Sequence, residues 1–312
     1  MSYLIEAENL YRFYGDTCAV ADLSLTLSKG EILGFLGPNG AGKTTTMQML
    51  CGNLAPSAGQ IRINGIDLLD EPKAAKRHLG YLPEVPPLYR ELTVDEYLRY
   101  CGRLHGLKGQ ALRSALDNAK ARCGLGEAGR RLIGNLSKGF QQRVGIAQAI
   151  LHSPLVVVLD EPTVGLDPIQ IREIRELIQD LGREHAVLLS THILPEVQAV
   201  CSRVLIIHKG RLALNASIAE LDLKMRALSL ILETKRPIDI DALMRVDGVQ
   251  TVTQEPGQQF RYQVYFAKEK SPAEDIATLV VERGWGLLEL SPVRRSIEQI
   301  FVDITKQEPT LR

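Results

Sequence analysis

The segment Gly37-Pro38-Asn39-Gly40-Ala41-Gly42-Lys43-Thr44 carries the residue types that bind a polyphosphate, at the spacing G-x-x-x-x-G-K-[ST]. Its glycines let successive backbone N–H groups turn toward phosphate oxygens with no Cβ in the way. Lys43 would reach the β- and γ-phosphates, and the Thr44 hydroxyl would ligate Mg²⁺. A helix expected from Gly42 to about Cys51 would aim its positive end at the anion. The apolar run Glu31–Leu36 just before the loop supplies the strand that such a loop requires.

A second candidate lies 116 residues beyond Thr44, where Val156-Val-Val-Leu-Asp160-Glu161 reads as a buried strand ending in two acids. In α/β folds, ligand chemistry sits at the carboxyl ends of strands. Asp160 would hold Mg²⁺ through water. Glu161 would orient and polarise a water for in-line attack on a γ-phosphate.

The elements around these motifs alternate. Strand patterns cover Leu4–Leu10, Cys18–Leu27, Glu31–Leu36, Gly59–Ile63, Ile66–Leu68 and Leu79–Leu82, with an Asn64-Gly65 hairpin turn. From Thr93 to Leu151 the pattern turns helical, within an insertion of about 86–151. Thr93 and Glu96 have the spacing of a capping box, and Leu112–Arg122 and Lys138–Leu151 read as helices. Strand Val156–Leu159, helix Pro168–Arg183, strand Val187–Ser190, helix Leu194–Ser202 and the pair Val204–His208 and Arg211–Leu214 complete this stretch. This order predicts an α/β core with a mostly parallel sheet, an antiparallel β subdomain and a helical insertion. A second, α+β unit begins near 226. Strand Ala227–Thr234, helix Ile238–Val246, strands Val249–Gln254 and Phe260–Ala267, helix Pro272–Arg283 and strand Gly286–Ser291 give a ferredoxin-like βαββαβ order. A last helix is expected at about Ser296–Thr305.

Between the two chemical motifs lies Leu136-Ser137-Lys138-Gly139-Phe140-Gln141-Gln142-Arg143. It resembles the ABC signature L-S-G-G-Q followed by Gln-Gln-Arg, with Lys138 in place of the first glycine and Phe140 in place of the first glutamine. Ser137 itself reads as a helix N-cap. Residues of about 3–215 thus resemble the ATP-binding cassette of ABC transporters, a P-loop NTPase fold. The resemblance implies ATP and Mg²⁺ as ligands. It makes Tyr14 the aromatic that stacks on adenine, Val164–Asp167 the D-loop and His192 the switch histidine at the γ-phosphate. Glu84, in Gly80-Tyr-Leu-Pro-Glu84, stands where the family usually has the Q-loop glutamine, within reach of Mg²⁺ or water. The nucleotide loop would run through Thr45, and its ATP would be capped by Ser137 and Gly139 of a second cassette in a head-to-tail dimer, with a homodimer expected and a heterodimer the alternative.

The same resemblance implies a cassette at 1–220; the ferredoxin-like unit at 226–312, which carries no chemical motif, is expected to be an accessory domain with a regulatory or dimer-stabilising role. The resemblance also implies a polytopic membrane permease as partner and a cytoplasmic, peripheral location on the inner membrane. Gly-Tyr-Leu-Pro-Glu with Leu-Ser-Lys-Gly resembles the ATPases of bacterial ABC-2 type exporters. The alternative is a soluble ABC-type ATPase acting on ribosomes or nucleic acid, whose members typically carry paired cassettes or a long coiled-coil insertion.

Composition bears on these alternatives. Across 312 residues, 37 Lys and Arg balance 37 Asp and Glu. A polyanion binder usually carries a basic excess, so nucleic acid is not the expected partner. The five cysteines include no C-x-x-C pair, so neither a metal cluster nor a disulfide framework is expected, and a reducing cytosol fits. The N-terminus has no signal-peptide pattern, and no run approaches the ~20 apolar residues of a membrane helix.

Overall fold

A computed structural model describes residues 3–225, 229–267 and 270–293. The chain divides between 218 and 219 into two compact units. In the first, strands β1 (Tyr3–Tyr14), β2 (Thr17–Ser28) and β3 (Ile32–Leu36) lead into helix α1 (Lys43–Leu50). Strands β4 (Ala58–Ile63) and β5 (Ile66–Asp67), helix α2 (Pro72–Lys76) and strand β6 (Leu79–Leu82) come next. Helices α3 (Val94–Leu104), α4 (Gly109–Arg122) and α5 (Lys138–Ile150) form the insertion. Strand β7 (Val156–Asp160), helix α6 (Pro168–Gly182), strand β8 (Ala186–Thr191), helix α7 (Leu194–Val200) and strands β9 (Arg203–His208) and β10 (Arg211–Ser217) complete the first unit, and helix α8 (Ile218–Met225) follows at the division.

Six strands form the central sheet, in the order β10-β9-β3-β8-β7-β6. All its pairings are parallel except β9 with β10. An antiparallel sheet of order β2-β1-β4-β5 lies apart from it. Every residue of β7 and β8 is buried, and the pleat sends alternate side chains to opposite faces. Val157, Leu159, Val187 and Leu189 join a core with the insertion helices and α6. Val156, Val158, Ala186 and Leu188 join one with α1 and the antiparallel sheet. Burial on both faces explains why these strands read as unbroken apolar runs.

The expected capping box is present: Glu96 N donates to Thr93 Oγ1 at 3.3 Å, and Thr93 N donates to Glu96 Oε2 at 2.9 Å. Two helices were not expected, α2 and α8. Strand β1 also runs four residues beyond Leu10, past Asn9 in a left-handed conformation and several register shifts that break its alternation.

In the second unit, strand β11 (Ser229–Thr234), helix α9 (Ile240–Met244), strands β12 (Val249–Gln254) and β13 (Arg261–Phe266), helix α10 (Ala273–Glu282) and strand β14 (Leu287–Pro292) keep the expected order. They make an antiparallel sheet, β12-β13-β11-β14. Leu243, Ile276 and Val280 of the helices pack on Leu232, Tyr262 and Val264. The opposite face carries Arg261 paired with Glu233, Glu255 and Glu289. The start of the expected strand at 227–228 and the helix at 296–305 lie outside the described residues.

Between the insertion and the core, the rings of His105 and His152 stack at 3.7 Å with 8° between planes. His152 Nε2 donates to the Leu79 carbonyl at 3.0 Å, which fixes the proton on that nitrogen. Burial, then the neighbouring His105, pushes His152 down from 6.5 to about 4. Its neutral form is therefore the native one. The stability this contributes is complete above pH 6.5 and is lost as pH falls toward 4. His152→Gln keeps a donor for Leu79. It should flatten the acid-side dependence of unfolding free energy over that range by about one proton, measured by urea titration at several pH values. An unchanged slope would show that His152 does not titrate with unfolding.

Candidate functional site

The loop after β3 is fixed by backbone that leaves no room for side chains. A Cβ at Gly37 would lie 2.5 Å from the Ile207 carbonyl oxygen. Gly42 has φ of 106°, and a Cβ there would lie 2.8 Å from the Ala19 carbonyl oxygen. Helix α1 then opens at Lys43, and Thr46 Oγ1 donates to the Gly42 carbonyl at 2.9 Å. Lys43 folds back over the loop, where its Nζ donates to Gly37 O at 2.8 Å and to Pro38 O at 3.3 Å.

The strand register brings the other candidates to the same edge. Leu36 pairs with Thr191 and Asp160 with Ser190, so the carboxyl ends of β3, β8 and β7 lie side by side. Glu161 N donates to Ser190 O at 3.0 Å, and the residue is held at φ of 49°. That left-handed conformation is uncommon for a residue with a long side chain. It is secured at both carboxylate oxygens. Lys43 Nζ is 3.3 Å from Oε1, and His192 Nδ1 is 2.9 Å from Oε2.

A cavity of about 410 Å³ opens over this edge, lined by Asn39, Gly40, Gly42, Lys43, Thr44, Thr45, Glu84, Glu161 and His192, with Ala19 and Val164. Eight of the expected nucleotide and catalytic positions thus meet Glu84 in one place. Gly37, Pro38, Ala41 and Asp160 are not part of its wall. Tyr14 is not either: it stands half-exposed near the end of β1, with the Arg12 guanidinium 4.9 Å from its ring centre. Ser137 and Gly139 also lie outside this wall, at the start of α5. There Ser137 Oγ accepts from Phe140 N at 3.4 Å, and a Cβ at Gly139 would strike the Gln170 side chain. Gln141 and Arg143 anchor that helix start, donating to the carbonyls of Leu136 and Cys123 at 3.0 Å each.

Asp160 is fully buried, and neither of its carboxylate oxygens has a hydrogen-bond partner. The Ser190 hydroxyl beside it on β8 also lacks hydrogen-bond geometry to any group. Two free carboxylate oxygens, with the exposed Thr44 hydroxyl on the cavity wall, form a donor set that fits a hard cation such as Mg²⁺. Burial raises the Asp160 carboxyl above its ordinary range; Ser190 opposes this, Glu161 and Glu84 add to it, and Lys43 opposes it.

Sequence reasoning missed the groups that hold the edge together from behind. Glu196 is 2% exposed, and it accepts from both Thr163 and Thr191. Its signal in the sequence is a single acid between Pro195 and Val197, a pattern that surface helices share.

A raised carboxyl favours its protonated form, so the ionised Asp160 weakens the ligand-free fold as pH rises through its native-state value. Asp160→Asn should therefore stabilise the nucleotide-free protein at pH 7 by about 1–3 kcal/mol, read as a higher Tm. A lower Tm would mean that Asp160 has a partner in the folded protein.

The ABC transporter family model matches residues 20–164. The bacitracin transport ATP-binding protein BcrA of Bacillus licheniformis is 35% identical, over 97% of this chain and 98% of its own. The ABC transporter ATP-binding protein NatA of Bacillus subtilis is 41% identical, over 65% of this chain and 83% of its own. Among solved structures, an ATP-binding subunit of an ABC transporter superposes with a TM-score of 0.64 at 33% identity, covering 70% of this chain and 91% of that one. With these matches and the phosphate loop, acid pair and histidine gathered at one sheet edge, the chain belongs to the ATP-binding subunits of ABC transporters, the ATPases that power transport.

Proposed function

We propose that this chain hydrolyses ATP at the edge formed by β3, β7 and β8 and uses the cycle to drive a separate membrane permease of the exporter kind. The observation that carries the reading is the meeting of Lys43, Glu161 and His192 within hydrogen-bond or ion-pair reach on the wall of one cavity. The loop from Gly37 to Thr45 offers backbone N–H groups and the start of α1 to the phosphates. Lys43 exchanges its two carbonyl acceptors for phosphate oxygens. Asp160, Thr44 and Glu84 would hold Mg²⁺, which would neutralise charge on the transferred phosphoryl group. Glu161, released from Lys43, accepts a proton from the attacking water, and His192 keeps its carboxylate aligned. Tyr14 supports the adenine by stacking.

Ser137 and Gly139 are absent from the cavity wall, and this supports a role for them on the nucleotide of a second copy. Ser137 caps α5, whose 13 residues present a positive end. Closure of two copies over ATP then links binding to movement. The names of two relatives, a bacitracin transport ATP-binding protein and a probable multidrug ABC transporter ATP-binding protein of Escherichia coli, support the exporter reading. No described helix is long and apolar enough to cross a membrane, so transport is assigned to a polytopic partner. That partner would hold the chain peripherally on the cytoplasmic side of the inner membrane.

The permease would dock at a cavity of about 350 Å³ between the insertion and the core, lined in part by Tyr81, Pro83, Pro87, Tyr97 and His152. Beside it Tyr89 packs at 6.0 Å against Tyr97 and 5.7 Å against Tyr100, and it is 46% exposed. An aromatic cluster left half in solvent is suited to anchoring a partner. Tagged protein purified from detergent-solubilised membranes should carry a polytopic membrane protein with it. Tyr89→Ala with Tyr100→Ala should lose that partner and keep basal ATP hydrolysis. Recovery of ribosomal or DNA-bound proteins alone would place the chain among the soluble ATPases instead.

A further inference from the structure

We infer that Glu196 is a positioning residue for ATP hydrolysis, acting as a buried brace that sets Glu161 against His192. The inference rests on the catalytic reading of those two residues. Glu196 lies on α7, is not part of the cavity wall and carries a carboxylate that the mechanism above does not use. Its Oε1 accepts from Thr163 Oγ1 at 2.7 Å, and its Oε2 accepts from Thr191 Oγ1 at 2.8 Å. Arg175 on α6 stands 4.0 Å from Oε1. Thr163 and Thr191 are themselves buried.

The chain positions of the two threonines give the brace its meaning. Thr163 lies two residues after Glu161, and Thr191 lies immediately before His192. The contact of His192 Nδ1 with Glu161 Oε2 at 2.9 Å closes the circuit. A ring therefore runs from Glu161 to Thr163, across Glu196 to Thr191, on to His192 and back to Glu161. The Thr191 hydroxyl also accepts from Ile193 N at 3.1 Å, so its one proton is committed to Glu196 and its orientation is fixed. The last backbone tie of the segment after β7 to β8 is Glu161 N to Ser190 O, just past the final register pair at Asp160, and Glu161 sits in a left-handed conformation. Backbone held in such a conformation persists where its surroundings over-determine it, and Glu196 supplies that determination from the side away from the nucleotide. Both oxygens of a buried carboxylate are satisfied by hydroxyls from two different segments, the loop after β7 and the last residue of β8, so the group links the two as well as surviving burial.

A brace of this kind changes the chemical step and leaves nucleotide affinity alone, because Lys43, Thr44 and the glycine loop do not touch it. Glu196→Ala should lower kcat by about 10- to 100-fold, with binding of a fluorescent ATP analogue unchanged. Glu196→Gln keeps the shape and bridges both threonines, accepting from one and donating to the other, so it should recover most of the rate. Thr163→Val and Thr191→Val preserve volume and cover the case in which Glu196→Ala fails to fold. Each should lower kcat, and the two together should cost less than the product of their separate effects. Wild-type protein assayed alongside separates the two ideas: no hydrolysis by wild type would defeat the catalytic reading itself. Wild-type turnover with kcat per folded molecule unchanged in the threonine variants, whatever their Tm, would overturn the brace alone.

Discussion

The parallel register of β3, β8 and β7 governs the placement of Lys43, Asp160, Glu161 and His192. Pairing Leu36 with Thr191 and Asp160 with Ser190 means that three chains leave the sheet at one level. The segments that leave these strands are then adjacent by construction: a glycine loop, two acids and a histidine. A slip of one residue in either pairing would turn the side chains of that strand to the opposite face. The two apolar layers prevent it, because β7 and β8 are buried on both sides and each residue has a defined face to fill.

That placement concentrates unfavourable features at one edge. Asp160 is buried with unpartnered oxygens, Glu161 is left-handed, and Lys43 leans on carbonyls and on Glu161. Each is easier to understand with a nucleotide and cation in view than as a stabilising device, since a buried polar group without a partner costs free energy. Lys43 and Glu161 neutralise one another in the ligand-free protein. In the proposed cycle an arriving polyphosphate would compete for Lys43 and so free Glu161 for the role of base proposed for it.

Much of this was legible in the sequence, for physical reasons that differ by element. The glycine loop declared itself because only glycine fits against Ile207 and Ala19, so the spacing is dictated by sterics. Strand β7 was readable because a doubly buried strand must be apolar along its whole length, and its acids end that run abruptly. The helix caps at Thr93 and Ser137 were legible as side-chain oxygens placed before apolar periodicity. Helix α2 was missed because five residues complete barely more than one turn and give no period to detect. The reach of β1 to Tyr14 was missed because its bulges break the two-residue alternation on which strand reading depends. Glu196 was missed because its importance arises from two threonines at 5 and 33 residues' distance, which only the fold brings together.

The most direct test of the account is the behaviour of Glu161→Gln with ATP and Mg²⁺, monitored by light scattering on a sizing column together with phosphate release. The account predicts that this variant binds ATP, accumulates as a dimer held by Ser137 and Gly139 of each copy, and loses hydrolysis. Hydrolysis close to the wild-type rate, or ATP binding with no dimer, would contradict it.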